Sequence, residues 1–312
     1  MSTYNEKESD LRASIDSILN QTYKNLEFII VLDNPDNSSI LDILKEYERV
    51  DRRVKVIINE INIGLAPSLN KGISIAKGRY VARMDADDIS FPDRLEKQLN
   101  YIEEKDYDLV ATNKIEIDEN GKVISKKPLF AMNPENVKKI LPYNCFITHP
   151  SVLIKKEVLE NLHGYRDVPS AEDYDLWLRM IQNGYKLGIL NEYLIYYRIR
   201  MDSISRKDLC KQLLISKYLK IAYRKNEIND ESIITSIEKY LKENNYYSVQ
   251  YRDKFNKAYH VFGNGLEKIY NKKFLSGIYL LIKSAFTNIK CLMIMLDVLK
   301  YKLLLNYEGK KH

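Results

Sequence analysis

Apolar residues recur along the first part of the chain in two alternating rhythms. Leu11, Ile15, Ile18 and Leu19 share one face at helical spacing, behind Ser9 as a candidate N-cap. The run from Leu26 to Leu32 is instead almost continuously apolar, as expected of a strand buried on both faces. A turn cluster from Asp33 to Ser39 follows, then a predicted helix with Ile40, Leu41, Leu44 and Tyr47 inward. Val54 to Ile58 predicts a strand, Leu65 to Ala76 a helix, and Tyr80 to Met84 a further strand. Arg94 to Glu104 predicts a helix with Leu95, Leu99 and Ile102 inward, followed by a strand from Leu109 to Thr112. Such alternation with short connections predicts βα units around a mostly parallel sheet. Ligands of open sheets bind beyond the carboxyl ends of the strands. That rule places Asp33, Asn62 and the carboxylates after Met84 on one rim.

Further along, Asn120-Gly121 between Ile117 and Val123 signals a hairpin. His149 to Ile154 is expected as a strand, and Lys155 to Leu162 as a short helix stopped at Gly164. A helix begins at Glu172 and runs through Met180 to a close at Asn183-Gly184, its first turn acidic, where the macrodipole favours negative charge. Two short strands, Lys186 to Leu190 and Leu194 to Arg198, complete this part. From about Ser205, Gly and Pro become scarce, and Lys, Leu, Ile and Tyr follow helical spacing. The expected division is an α/β domain over residues 1–204 and a helical region over 205–312. Phe274 to Leu305 is amphipathic, interrupted by Lys283, Lys290, Lys300 and Lys302. It reads either as a packed hairpin or homodimer face, or as a basic helix lying on a membrane surface.

Composition narrows the function classes. The 49 basic residues nearly balance 43 acidic ones, which argues against a nucleic-acid partner. Cys145, Cys210 and Cys291 are far apart and odd in number, fitting neither a disulfide framework nor a zinc motif. Four histidines without a His-x-x-x-His pair disfavour a zinc hydrolase. The polar opening from Met1 to Glu6 is not a signal peptide, and no apolar run reaches transmembrane length. The expected location is therefore cytoplasmic, with peripheral contact at the inner membrane face as the extension of the C-terminal reading.

The chemistry concentrates at Asp85-Ala86-Asp87-Asp88, which follows the Tyr80–Met84 run. Strand alternation puts Asp85 and Asp87 on the same side. Crowded carboxylates repel one another unless a cation offsets them, and hard oxygen donors suit Mg²⁺ or Mn²⁺ carrying substrate phosphates. A metal–diphosphate site is the resulting expectation.

These stretches, in order, resemble the family 2 glycosyltransferases and their GT-A-type, Rossmann-like nucleotide-sugar fold. The resemblance runs from Ser2 to about Ser205. Its landmarks are Ser2-Thr3-Tyr4-Asn5; Ser17 to Tyr23 with the Phe28–Asp33 strand; Asn62-Ile63-Gly64-Leu65 with Leu69 to Ile73 and Ala76-Lys77-Gly78; Asp85 to Asp88; and Glu172-Asp173. His149-Pro150-Ser151 and Tyr197-Arg198 match further recurring positions. The resemblance implies that Thr3, Tyr4 and Asn5 line the nucleotide pocket and that Asp33 holds a base, uracil. It places Asn62, Lys71 and Arg198 on the donor and its phosphates. Asp85 would contact ribose or sugar and, with Asp87, hold Mn²⁺ or Mg²⁺. Asp173 would be the general base of an inverting transfer, with Glu172 beside it, and His149 and Trp177 would lie toward the acceptor. The implied partners are a UDP-sugar donor and a glycan or lipid-linked acceptor in surface polysaccharide synthesis.

Plainer readings stand beside these. Asp33 is also a turn former, Lys71 a solvated helix lysine, and His149 and Trp177 core residues. Glu172 or Asp175 serves equally as a base on chemistry alone. Two departures from the family pattern are visible. No apolar strand precedes Thr3-Tyr4-Asn5, and Arg200 occupies a position where many relatives carry histidine. A catalytically weak binding or scaffold subunit follows from the first. A sugar-nucleotide nucleotidyltransferase is the other alternative, although the Gly-rich loop such enzymes show after the first strand is missing here.

Overall fold

The computed structural model of the chain describes residues 1–200 and 208–308, with backbone alone at 289–292 and 306–308. Contacts divide it into two compact units. One comprises Met1–Lys139, Phe146–Val168 and Glu172–Met201; the other comprises Ile140–Cys145, Pro169–Ala171 and Asp202–His312. The expected boundary at 204/205 lies outside the described residues.

The first unit opens with a three-stranded, all-parallel sheet in the order β1 (Ser2–Thr3), β2 (Phe28–Leu32), β3 (Val54–Ile58). The Ser2-Thr3 motif itself takes the edge position, pairing Ser2 with Val31 and Thr3 with Leu32. Asp33 N–H donates to Thr3 O at 2.8 Å, so this short ladder ends where the first candidate carboxylate begins. Helix α1 (Glu8–Leu19) starts one residue ahead of the expected cap, Ser9, and buries Leu11 and Ile15 against Phe28, Ile30 and Leu32. Helix α2 (Ser38–Val50) is capped by the Asn37 side chain, which accepts from Ile40 N–H at 3.1 Å. Its Ile40, Ile43 and Leu44 close the same core. Helix α3 (Leu65–Ile75) follows β3.

The second sheet is mixed, where a mostly parallel arrangement was expected throughout. Its order is β4 (Tyr80–Ala82), β8 (Leu153–Lys155), β6 (Leu109–Ile117), β9 (Leu187–Arg198), β5 (Ile89–Ser90), with β7 (Val123–Ser125) hairpinned onto β6. Only β6 and β9 run parallel; the other pairs are antiparallel. The hairpin expected at Asn120-Gly121 forms, with Gly121 at φ +82°, a conformation glycine adopts without a Cβ clash. The two short strands expected near 186–198 are one strand, β9. The register slips beside Asn113, whose Nδ2 donates to Leu190 O and to Phe130 O, satisfying carbonyls a regular ladder would have paired. His149-Pro150-Ser151 is a 3₁₀ turn rather than a strand. Pro150 has no N–H for a ladder, and Ser151 turns back to donate both N–H and Oγ to Thr148 O. Helices α4 (Arg94–Lys105), α5 (Pro134–Ile140), α6 (Lys156–Asn161) and α7 (Glu172–Gln182) complete this part of the chain.

The second unit contains α8 (Leu209–Arg224), α9 (Ile233–Glu243), α10 (Val249–Tyr270), α11 (Phe274–Thr287) and α12 (Ile289–Glu308). Helices α10 and α11 meet backbone to backbone: a Cβ on Gly277 would lie 2.9 Å from Gly265 O. Ser284 Oγ donates to Ala258 O at 2.6 Å in the same interface. Among the described residues, no helix is long and apolar enough to cross a membrane.

Candidate active site

Strand β4 ends at Ala82, two residues short of the predicted Met84, and the chain turns through Arg83 to Asp88. Ser14 Oγ of α1 donates to Asp85 O at 2.7 Å, and Asp85 bridges to Ser2 of the first sheet. The turn thus joins both sheets. Carboxylate oxygens of Asp85, Asp87 and Asp88 lie within 4.8 Å of one another. Burial and the neighbouring Asp85 push Asp87 up to about 6, with Arg200 opposing. Asp88 is held well above the ordinary carboxylate range by burial and by both neighbouring aspartates. Its Oδ1 accepts from Arg198 N–H at 2.7 Å, and its Oδ2 is buried with no hydrogen-bond partner among the described residues.

Arg198 is committed to this turn. Nε donates to Asp87 O at 2.9 Å, Nη1 to Asp118 O and Glu119 O, and Nη2 pairs with Asp10. Its guanidinium therefore fastens the end of β9 to the acidic turn instead of projecting freely. Arg200, two residues on, pairs with Asp87 through Nε at 3.1 Å and with Asp10 through Nη2 at 2.8 Å.

Arg83 stands at the centre of the charges. It is 6% exposed, pairs with Asp85, and its Nε and Nη1 have no geometrically proper hydrogen bond among the described residues. Its charge is felt by Glu172 and Asp173 at the start of α7 and by His149 and Tyr165. Burial, then the charge of Asp173, raises Glu172 to about 7; burial raises Asp173 to about 6, against the backbone N–H of Tyr174. Asp175, the third base candidate, is fully buried and accepts from Arg166 Nε at 3.0 Å and Arg179 Nε at 2.8 Å. Arg179 in turn donates to Leu162 O and Gly164 O. Asp175 is thus a tie between α7 and the preceding loop, which removes it as a base. His149 Nε2 meets Tyr165 OH at 2.9 Å, and burial keeps the imidazole uncharged. Trp177 is fully buried, its ring edge-on to His149 at 6.0 Å. Neither is presented to an acceptor: the acceptor-side expectation for them gives way to packing.

The remaining candidates gather at the ends of β1–β3. Asp33 Oδ1 accepts from Asn59 Nδ2 and Ile63 N–H, and Oδ2 from Gly64 N–H, all at 2.7–2.9 Å. Lys71 Nζ donates to Asn59 Oδ1 at 2.9 Å, so Asn59 couples it to Asp33. Asn62 accepts from Gly64 N–H through its own side chain, as a turn former does. Thr3 is buried and donates through Oγ1 to Glu6, which also accepts from Tyr4 N–H. Tyr4 and Asn5 are exposed, with Asn5 Oδ1 bonded to Asn37. Two clusters result, one a hydrogen-bonded rim around Asp33 and one an acidic centre around Arg83. Glu6, which accepts from Thr3 and Tyr4, also raises Asp87 by its charge.

The family described as "Glycosyl transferase family 2" matches residues 1–162. An uncharacterized glycosyltransferase of Methanocaldococcus jannaschii is 42% identical over 230 residues, covering 73% of this chain and 79% of the relative. This chain belongs to glycosyl transferase family 2. The O-antigen biosynthesis glycosyltransferase WbnJ of Escherichia coli is 40% identical, over 66% of this chain and 83% of its own. A crystal structure of residues 1–349 of Staphylococcus aureus TarS, in complex with UDP-GlcNAc, aligns with a TM-score of 0.57 and 18% identity, over 77% of this chain and 70% of that one. At that identity the likeness establishes the fold, which is GT-A type.

Within this glycosyltransferase, three residues of the acidic centre escaped the motif reading. Arg83 had a legible signal, being a charge at the end of an apolar run and two residues before Asp85. Glu6 and Asp10 had none; Glu6 lies in the short connection ahead of α1, and Asp10 in its first turn, where acid is common on dipole grounds alone.

Proposed function

We propose that this family 2 glycosyltransferase moves one sugar, with inversion, from a UDP-sugar to a glycan or lipid-linked acceptor in surface polysaccharide synthesis. The observation that carries the reading is the cluster of Asp85, Asp87 and Asp88, with an unpartnered buried Asp88 oxygen, in electrostatic reach of the raised pair Glu172 and Asp173. The UDP-GlcNAc bound by the fold neighbour and the O-antigen pathway named for a relative support the donor and acceptor classes. The sugar is a hexosyl or N-acetylhexosaminyl unit. The protein acts in the cytoplasm, peripherally at the inner face of the cell membrane, where a lipid-linked acceptor is presented.

The donor set is all carboxylate oxygen and includes an orphaned buried acceptor atom, which fits a hard divalent ion, Mn²⁺ or Mg²⁺. Asp87 and Asp85 would hold it, and when bound it supplies positive charge to the departing diphosphate. The chain's own residues do the rest. Asp173 takes the proton of the acceptor hydroxyl as that oxygen bonds the anomeric carbon, and the carbon–phosphate-oxygen bond breaks with its electron pair leaving on the diphosphate. A single displacement with one base inverts the centre. Arg83 keeps Asp173 and Glu172 from rising further, so that a carboxylate is ionised near neutral pH. Thr3, Tyr4, Asn5, Asp33, Asn62 and Lys71 form the nucleotide rim. Arg198 and Arg200 hold the acidic turn in place.

Calorimetric titration of UDP with and without Mn²⁺ tests this. Metal-dependent binding lost in Asp87→Ala is expected; folded wild type that binds no UDP with metal present overturns the reading.

A further inference from the structure

The outer face of α11 is apolar and uncovered. Phe274, Leu275, Ile278, Tyr279, Ile282 and Phe286 are all exposed, Leu275 and Phe286 to 88%. Their spacing confines them to one side of the helix, and Gly277 and Ser284, which face α10, lie on the other. The sequence around this helix is one-signed. From Lys268 to Leu296 it carries five lysines and no acidic residue. Lys283 is exposed and falls beside the apolar arc at helical spacing, and Lys268, Lys272 and Lys273 are exposed in the chain just ahead of the helix. Lys268, Lys272, Lys273 and Lys283 form no ion pair among the described residues.

We infer that this face docks on an anionic lipid surface, with the aromatic and aliphatic side chains in the acyl boundary and the lysines on the headgroups. A second copy of the chain is the weaker occupant. A two-fold pair would set the same patch against itself, lysine against lysine, with no acidic residue in the stretch to relieve it. A bilayer of negative surface charge offers the opposite sign around an apolar interior. The absence of a helix able to span, among the described residues, fits a helix that lies in the interface plane. Docking here supplies the membrane location inferred above, and its test needs neither donor nor acceptor.

The full chain is sedimented with phosphatidylcholine vesicles, with and without phosphatidylglycerol, at low and high salt. Binding is expected only with the anionic lipid and is weakened by salt. Leu275→Ser and Phe286→Ser, both at exposed positions, should each lower partitioning by about tenfold. Val50→Ser, at an exposed apolar position of α2, should leave it unchanged. Retained circular dichroism and UDP binding show that the variants are folded. Wild type that ignores anionic vesicles, or binding indifferent to both α11 variants, overturns the inference. A dimer by light scattering that Leu275→Ser dissociates would assign the face to a second copy and overturn it equally.

Discussion

Asp173→Asn and Glu172→Gln, made singly, separate the two carboxylates that open α7. Asp173 lies at about 6 and Glu172 at about 7, the latter raised partly by the charge of the former. They titrate as a pair, and the ionised form is the base, so turnover rises with pH through the lower value. At about pH 5 the rate should be about a tenth of its plateau, since a group near 6 is then about one-tenth ionised. Asp173→Asn should cost about a hundredfold or more at the plateau. Any residual acid limb should lie below 7, because Glu172 has lost its charged neighbour. Glu172→Gln should stay within about threefold of wild type, with its limb near 6. Stability moves the other way. A carboxyl raised from 3.8 to about 6 is protonated in the fold and ionised in the unfolded chain between those values, so stability falls as pH rises through them. The cost is at most about 3 kcal/mol above the upper value and vanishes below the lower one. Asp173→Asn should therefore unfold at a higher temperature than wild type at pH 8 despite its loss of turnover. The assay is UDP release from a UDP-sugar with Mn²⁺ across the pH range, paired with thermal unfolding. If Glu172→Gln suffers the larger loss, or if neither variant moves the acid limb, the assignment of Asp173 fails.

Asp175→Asn should behave oppositely, because it leaves Arg166 and Arg179 without their shared counter-charge. A loss of about 3–5 kcal/mol, or about 10 °C in Tm, is expected in thermal unfolding, with partial recovery on adding Arg179→Met. Asp33→Ala should weaken UDP binding and cost about 2 kcal/mol in denaturant unfolding, since Ile63 N–H and the buried Asn59 amide lose Asp33 as acceptor. Gly277→Ala should loosen the α10–α11 crossing by about 1–3 kcal/mol, its Cβ falling 2.5 Å from Ile269; hydrogen exchange localised to those helices would read this.

What the sequence by itself determined is local. The buried run Leu26–Leu32, the caps before α2 and the acidic turn after Tyr80 were legible, because periodicity and turn chemistry act within a few residues. So were the motifs that made family membership an expectation, since each is a short string at a characteristic spacing. The tertiary structure alone decided what those residues touch. Glu172, Asp173 and Asp175 look alike on one helical turn, yet two are raised by burial around Arg83 while the third is neutralised by two guanidinium groups from beyond its own turn. Arg198, expected on the donor, is occupied by Asp10, Asp87, Asp118 and Glu119, partners 79 or more residues away in sequence. His149 and Trp177 turned inward for the same reason, since burial belongs to the packed chain and not to the residue type. The single strand β9 likewise needed Asn113, remote in sequence, to carry the chain across its bulge. Charge, spacing and caps are written along the chain; the partner that neutralises a charge is chosen only when distant segments meet.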